Sequence, residues 1–324
     1  MVLTLGEALV VGIPPSPVGL DHADSVRLSV GGSEVNFAIG LARLNVDCMW
    51  IGRLGDDPFG RMVRDALDRE GVRTDWVKSD VDRPTGVYFR EWLDDGVRRP
   101  YYYRQGSAAT GLSVSDWPDE AVGQARWLHV SGITPALGAA PRKLVERAVS
   151  RAREAGLDVS VDPNFRAPLW SHSEEARSVL EPIVRASSVL LLAQEDCRVL
   201  FGSGDPELVA RRAHESGAET VVVKLGAEGA YASRGNESLH LPAAACERAV
   251  DPVGAGDGFD AGFVAGMLGR GDLRSALTIG NYVGARAVEE PMEHAYPTAG
   301  ELPPELQDML TAPPSELAAT RRGA

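Results

Sequence analysis

Chemistry-capable residues are densest in Asp251-Pro252-Val253-Gly254-Ala255-Gly256-Asp257-Gly258-Phe259-Asp260-Ala261-Gly262, which leads into a helical pattern of small and apolar residues. Glycines just ahead of a helix let backbone amides turn into one concavity, and the positive helix end makes that concavity an anion site. Asp257 falls in the first helical turn beside this cradle, where a carboxylate can take the proton of a hydroxyl that is becoming a nucleophile. Transfer of a phosphoryl group to a hydroxyl is the chemistry so indicated. A plainer reading also fits: the glycines are helix-packing contacts, and Asp257 merely complements the helix dipole. Asp260, one turn on, is either a rival base or a solvated or structural carboxylate. A dinucleotide turn of the form Gly-x-Gly-x-x-Gly fails, because Phe259 stands at its last glycine.

Elsewhere reactive residue types are sparse. Only Lys78, Lys143 and Lys224 among the 33 basic residues are lysines, and neither Gly-x-x-x-x-Gly-Lys-Ser/Thr nor Ser-x-x-Lys occurs. The 6 histidines show no metal-ligand spacing; His129, inside an apolar run, reads as a hydrogen-bonded core residue, and no structural zinc is expected. Cys48, Cys197 and Cys246 lie far apart, without C-x-x-C, which points to reduced thiols rather than a disulfide framework. A net charge of -13 argues against nucleic acid as a partner.

The elements that must position these residues follow a βαβ rhythm. Strand-length apolar runs (Leu3 to Val11, Asp47 to Arg53, Trp127 to Ser131, Asp158 to Val161, Ser188 to Ala193, Thr220 to Leu225) alternate with helical patterns (Glu34 to Leu44, Phe59 to Glu70, Ala139 to Glu154, Glu174 to Arg185, Glu207 to Ser216, and from about Ala255). The fold class this implies is α/β, a mostly parallel sheet flanked by helices on both faces. Val26 to Val30 and Thr85 to Tyr103 break the rhythm as paired strands, with a hairpin turn at Asp94-Asp95-Gly96, and are expected to form a small β-sheet lid from about 12–32 and 84–105. Gly31-Gly32 and Gly86 flank those strands as either hinges or tight turns. One domain over 1–297 is expected, followed over 298–324 by a short helix near Glu305 to Leu310 and a loose tail. No stretch reaches eighteen apolar residues, and a cytoplasmic, non-membrane protein is expected.

Gly31-Gly32-Ser33-Glu34-Val35-Asn36-Phe37-Ala38 near the start and Asp251 to Gly262 near the end resemble the two signatures of the ribokinase-like (PfkB) carbohydrate kinases. Gly55-Asp56-Asp57-Pro58-Phe59-Gly60 and Val221 to Ala230 resemble two further family segments. Within the family, Thr85 to Glu91, Tyr101 to Ala108, Leu128 to Leu137 and Asp162-Pro163-Asn164-Phe165-Arg166 look most like 2-keto-3-deoxygluconate kinases. The resemblance implies ATP-dependent phosphorylation of the terminal hydroxyl of a sugar acid, with Asp257 as base and the amides of Gly254, Ala255 and Gly256 stabilising the transferring phosphoryl group. It further implies that Gly32 and Asn36 meet substrate hydroxyls, that Tyr88, Tyr102 and Arg104 meet the sugar-acid body, and that Arg166 meets its carboxylate region or the phosphate. Asn164, Lys224, Gly226 and Gly229 would line the nucleotide side. An arginine fork suits a carboxylate, and Tyr102 and Arg104, two apart on a strand, share a face.

There are departures. Ala193-Gln194-Glu195-Asp196 replaces the family's Asn-x-x-Glu, so Asp196 is carried only as a candidate magnesium contact, directly or through water; Pro252 replaces the more usual Thr. ATP and Mg²⁺ are the implied cofactors, and a monovalent cation is left open. A homo-oligomer paired through the lid edge is compatible with the pattern. Competing readings are a kinase for fructose, ribose or the galactonate epimer, a non-catalytic sugar or nucleotide sensor on the same fold, and a dehydrogenase, which the broken glycine pattern disfavours. For Tyr101 to Tyr103 the plain alternative is cross-strand aromatic pairing, and for Arg104 and Arg166 it is surface ion pairing.

Overall fold

The computed structural model describes residues 1–93, 98–291 and 293–311. In chain order the strands are β1 (Val2–Leu5), β2 (Leu9–Ile13), β3 (Arg27–Gly31), β4 (Cys48–Gly55), β5 (Val77–Asp80), β6 (Gly86–Trp92), β7 (Arg98–Tyr103), β8 (Trp127–Ser131), β9 (Asp158–Asp162), β10 (Val189–Ala193), β11 (Thr220–Lys224), β12 (Ala230–Arg234) and β13 (Glu237–Leu241). Nine of them form one sheet in the order β13-β12-β11-β10-β9-β8-β1-β4-β5, and four form a second in the order β3-β2-β6-β7. The large sheet is parallel from β5 to β11 and ends in the antiparallel β12 and β13.

Alternation along each central strand feeds two cores. Cys48, Trp50, Leu191 and Val222 enter one, beneath the helices Ser33–Arg43, Ala255–Leu268 and Leu273–Ala287. Their neighbours Met49, Ile51, Leu190, Leu192, Val221 and Val223 enter the other, beneath Ala139–Glu154, Ser173–Ala186 and Pro206–Glu215. Period-two side chains on a strand covered on both faces require this division, and the near-continuous apolar runs of β10 and β11 are its sequence form.

The expected single strand from Leu3 to Val11 is two strands. β1 ends at Leu5, and after Gly6-Glu7-Ala8 the chain enters the small sheet as β2, so that sheet begins at Leu9 rather than near residue 12. An uninterrupted apolar run conceals such a change of sheet, because both halves are buried. β5, β12 and β13 were not anticipated; β5 and β13 are sheet edges with mostly exposed or half-buried residues, so their hydrophobic pattern is weak. The hairpin turn placed at Asp94-Asp95-Gly96 and the tail from Thr320 lie outside the described residues.

The Gly55-Asp56-Asp57 segment fastens the small sheet to the large one. Asp57 caps the Pro58–Arg69 helix by accepting from the Gly60 amide at 2.7 Å and takes the Thr85 amide at 2.7 Å on its other oxygen, while Thr85 Oγ1 accepts from the Gly55 amide at 2.9 Å. Those amides outweigh the effect of burial and hold the Asp57 carboxyl below its ordinary range. Among the described residues no helix is long and apolar enough to cross a membrane.

Candidate active site

Loops at the carboxyl ends of β1, β8, β9 and β11 converge where strand order departs in opposite directions from β1. Open α/β sheets place ligand sites at such a switch point. Asp257, partly exposed, is the third residue of the Ala255–Leu268 helix. Its Oδ1 accepts from Ser33 Oγ at 2.8 Å and its Oδ2 from Asn36 Nδ2 at 2.9 Å. Ser33 Oγ in turn accepts from Asn164 Nδ2 at 3.0 Å. Both family signatures therefore meet at one carboxylate. Burial raises the Asp257 pKa, the Asn36 hydrogen bond opposes that, and the Asp162 charge adds to it.

Gly254 begins that helix with φ +83, in the left-handed region, and a Cβ there would fall 2.0 Å from the Glu293 carbonyl oxygen. Only glycine fits. The Ala255 amide closes a turn onto the Pro252 carbonyl at 3.2 Å, and Gly258 donates to the Gly254 carbonyl at 2.9 Å. Among the described residues the Gly254, Gly256 and Asp257 amides have no backbone acceptor, while the Ala255 amide is spent on the turn, so an anion at the helix end could be held by these three. Gly32, at φ +124, precedes the Ser33–Arg43 helix, and a Cβ there would meet the Glu7 carbonyl oxygen at 2.3 Å. Asn36, expected to meet substrate hydroxyls, is 2% exposed and gives its Nδ2 to Asp257.

Behind the cradle, Lys224 Nζ bonds Asp162 Oδ2 at 2.9 Å and both Asp260 oxygens at 3.0 and 3.1 Å. It lies 3.7 Å from where a Gly256 Cβ would be. Burial alone would lower the Lys224 pKa; the two carboxylates outweigh it and raise it. Lys224, expected on the nucleotide side, is thus first an internal cation, and Asp260 is buried and ion-paired, neither solvated nor placed as a base. Gly226 and Gly229 shape the turn between β11 and β12, with φ +62 and +93. Asp196 is 1% exposed, and its oxygens accept from the Phe165 amide at 2.8 Å and the Ala193 amide at 2.7 Å. Burial and the Asp162 charge push its pKa up to about 7. Both Asp196 oxygens are thus turned onto backbone amides, and its candidate contact to magnesium, directly or through water, stays an expectation.

On the opposite side stand the small-sheet residues. Arg104 lies over the Tyr102 ring at 5.2 Å, and Arg166, on the exposed loop after β9, lies within electrostatic range of Tyr102. Tyr102 and Arg104 thus come together, with Arg166 near enough to act on Tyr102 through its charge. Arg104 is also held by Glu7, Nη2 to Oε2 at 2.6 Å, and Glu7 is 1% exposed with its pKa pushed up to about 7 by burial against the pull of Arg104. Glu34, fully buried, accepts from Ser131 and Thr134 hydroxyls at 2.8 and 2.7 Å, and burial pushes its pKa up to about 7 too. Tyr88 departs from expectation: it is 6% exposed, and its hydroxyl donates to Glu293 Oε1 at 2.6 Å. Arg90, beside it on β6, pairs with Glu293 at 2.7 Å and with Asp251 at 2.8 Å. Ser33 and Arg90 stood inside recognised segments without being singled out, whereas Glu7 and Glu293 lay outside every motif and carried no sequence signal.

The profile of the pfkB family carbohydrate kinases matches residues 1–295. The chain is 35% identical over 280 residues to the 2-dehydro-3-deoxygluconokinase of Thermoproteus tenax, covering 86% of this chain and 85% of that protein. It is 32% identical over 290 residues to the 2-dehydro-3-deoxygluconokinase of Bacillus subtilis, covering 89% and 90%. Among solved structures, a putative ribokinase II from Escherichia coli in complex with ATP and Mg²⁺ superposes with a TM-score of 0.83 at 25% identity, over 92% of this chain and 95% of that one.

Proposed function

The chain belongs to the pfkB family of carbohydrate kinases, and from that premise we propose that it moves the γ-phosphoryl group of ATP onto the terminal hydroxyl of a sugar acid, 2-keto-3-deoxygluconate, the 2-dehydro-3-deoxygluconate of its relatives' names. The observation that carries this reading is Asp257, steered by Ser33 and Asn36 at the mouth of an anion-binding helix end.

In the proposed reaction Asp257 takes the hydroxyl proton as the sugar oxygen bonds to the γ-phosphorus and the bond to the ADP oxygen breaks. The Gly254, Gly256 and Asp257 amides, with Lys224 behind them, hold charge that builds on the phosphoryl oxygens. Amides without a backbone acceptor at the positive helix end suit a phosphate, and this fits ATP. When bound, Mg²⁺ would screen phosphate charge, and no step here is assigned to Asp196. Tyr102, Arg104 and Arg166 give the acid a cationic, stacked face, and the small sheet serves as the lid that excludes water. A cytoplasmic location suits an enzyme that draws on ATP, and pairing through the lid edge is the oligomer this reading allows; a monovalent cation finds no specific support.

Glu7 favours a second reading. Because it already neutralises Arg104, a neutral sugar such as fructose is the alternative acceptor. ADP release measured in parallel with 2-keto-3-deoxygluconate, its galactonate epimer, gluconate, fructose and ribose separates the two. Turnover confined to the keto-deoxy acids upholds the acid reading, and turnover only with neutral sugars replaces it.

A further inference from the structure

The segment after the last long helix carries a group to which the proposed reaction gives no task. Tyr296 is 4% exposed, and its ring occupies space left by two glycines: a Cβ at Gly40 or Gly258 would come within 3.3 or 2.5 Å of ring carbons. The Tyr296 hydroxyl donates to the Gly254 carbonyl at 2.7 Å and lies 3.3 Å from the Glu293 carbonyl. Gly254 is the residue that begins the anion-binding helix. Its carbonyl therefore takes two donors, the Gly258 amide and the Tyr296 hydroxyl.

A peptide unit is planar, so fixing the Gly254 carbonyl fixes the plane from which the helix starts and the direction of the amides after it. Tyr296 is itself held. Arg43 Nη1 donates to the Tyr296 carbonyl at 2.8 Å and the His294 carbonyl at 3.1 Å, while Arg43 Nε and Nη2 grip the two Glu70 oxygens at 2.8 and 2.7 Å. The chain of contacts runs from the end of the Ser33–Arg43 helix, whose start bears Ser33 and Asn36, to the start of the helix bearing Asp257. Phenylalanine would fill the same space, so packing alone does not account for the hydroxyl.

We propose that Tyr296 is a positioning residue for phosphoryl transfer, its hydroxyl acting through the Gly254 carbonyl to aim the Gly256 and Asp257 amides and to set Asp257 over the acceptor. The proposal rests on the reading of Asp257 and its turn as the transfer site. Tyr296 touches backbone rather than substrate, so its effect belongs to the transition state, where charge on the phosphoryl oxygens is greatest.

Tyr296→Phe removes the hydroxyl and keeps the ring. With 2-keto-3-deoxygluconate as acceptor, kcat is expected to fall about five- to tenfold, the effect of one aimed hydrogen bond, while KM for the acid and the affinity for ADP stay within about twofold. Affinity for MgADP with aluminium fluoride, which reads the anion cradle without turnover, should fall by the same factor as kcat. The proposal is overturned if kcat and analogue affinity both hold, or if the loss of kcat only tracks a loss of folded protein at the assay temperature. Should Tyr296→Phe not fold, Arg43→Gln, which loosens the Tyr296 carbonyl, must show the same split between kcat and KM, and an unchanged kcat there overturns the proposal equally. Asp257→Asn run alongside separates the failures: turnover retained in it removes the transfer-site reading, whereas turnover lost in it but kept in Tyr296→Phe removes only the role of Tyr296.

Discussion

Arg104 has two claimants for one guanidinium. Glu7 holds it from beneath at 2.6 Å, while its outer face stacks on Tyr102, which is 45% exposed and so accessible to a ligand. On the sugar-acid reading, a substrate carboxylate shares that fork. Arg104→Ala is expected to raise KM for the sugar acid about ten- to hundredfold, the span of a charge-assisted hydrogen bond, with little change for a neutral sugar. Steady-state kinetics with both acceptor types checks it, and an equal effect on both would remove the carboxylate assignment. Tyr102 and Arg104 were legible as residues two apart where a strand was expected; β7 ends at Tyr103, and the Arg104 guanidinium still lies over the Tyr102 ring. Glu7 was not: its neighbours Leu5 and Ala8 are core residues, and no periodicity marks a carboxylate where the chain passes between two sheets.

Elements meet through charge where the small sheet touches the glycine-rich turn. Arg90 on β6, 1% exposed, stands between Glu293 and Asp251, the residue that opens the glycine-rich signature. Strand β6 and the start of the glycine-rich turn are joined by a buried cation. Removing one member of such a set leaves the others poorly compensated, so Arg90→Met should cost about 3–5 kcal/mol of stability. Urea unfolding measures this; a loss under about 1 kcal/mol would mean that the carboxyls simply take up protons. Burial and the Arg90 charge act in opposite senses on Glu293, and burial prevails, leaving its pKa raised. β10 and β11 were readable as apolar runs of strand length, and the Ala255–Leu268 helix as a glycine turn followed by small residues. The join between sheets was not, because it depends on side chains 161 and 203 positions from Arg90, whose pairing leaves no local pattern.

The whole molecule holds carboxyls of both senses, and their balance sets its response to pH. Glu7 and Glu34 ionise near 7 in the folded chain against 4.5 as free side chains, so the folded state binds more protons between those values. Their contribution is greatest below about pH 4.5 and is lost as pH rises through about 7. Glu70, held low by Arg43, acts oppositely: its contribution is present above the unfolded pKa and is lost on acidification. Unfolding midpoints followed from pH 5 to 8 should therefore decline, and Glu34→Gln, which keeps an acceptor for Ser131 and Thr134, should flatten that slope. An unchanged slope would show that Glu34 is already ionised when folded. At this scale the α/β class was legible from the alternation of elements, while the sign of the pH response depends on buried pairs that only the fold brings together. The central claim, that Asp257 at the anion turn is the base of a sugar kinase, is tested most directly by kcat for Asp257→Asn, with ATP affinity measured on the same protein. The account predicts a fall of about 10²- to 10⁴-fold with ATP affinity retained; turnover within tenfold of the unsubstituted enzyme would contradict it.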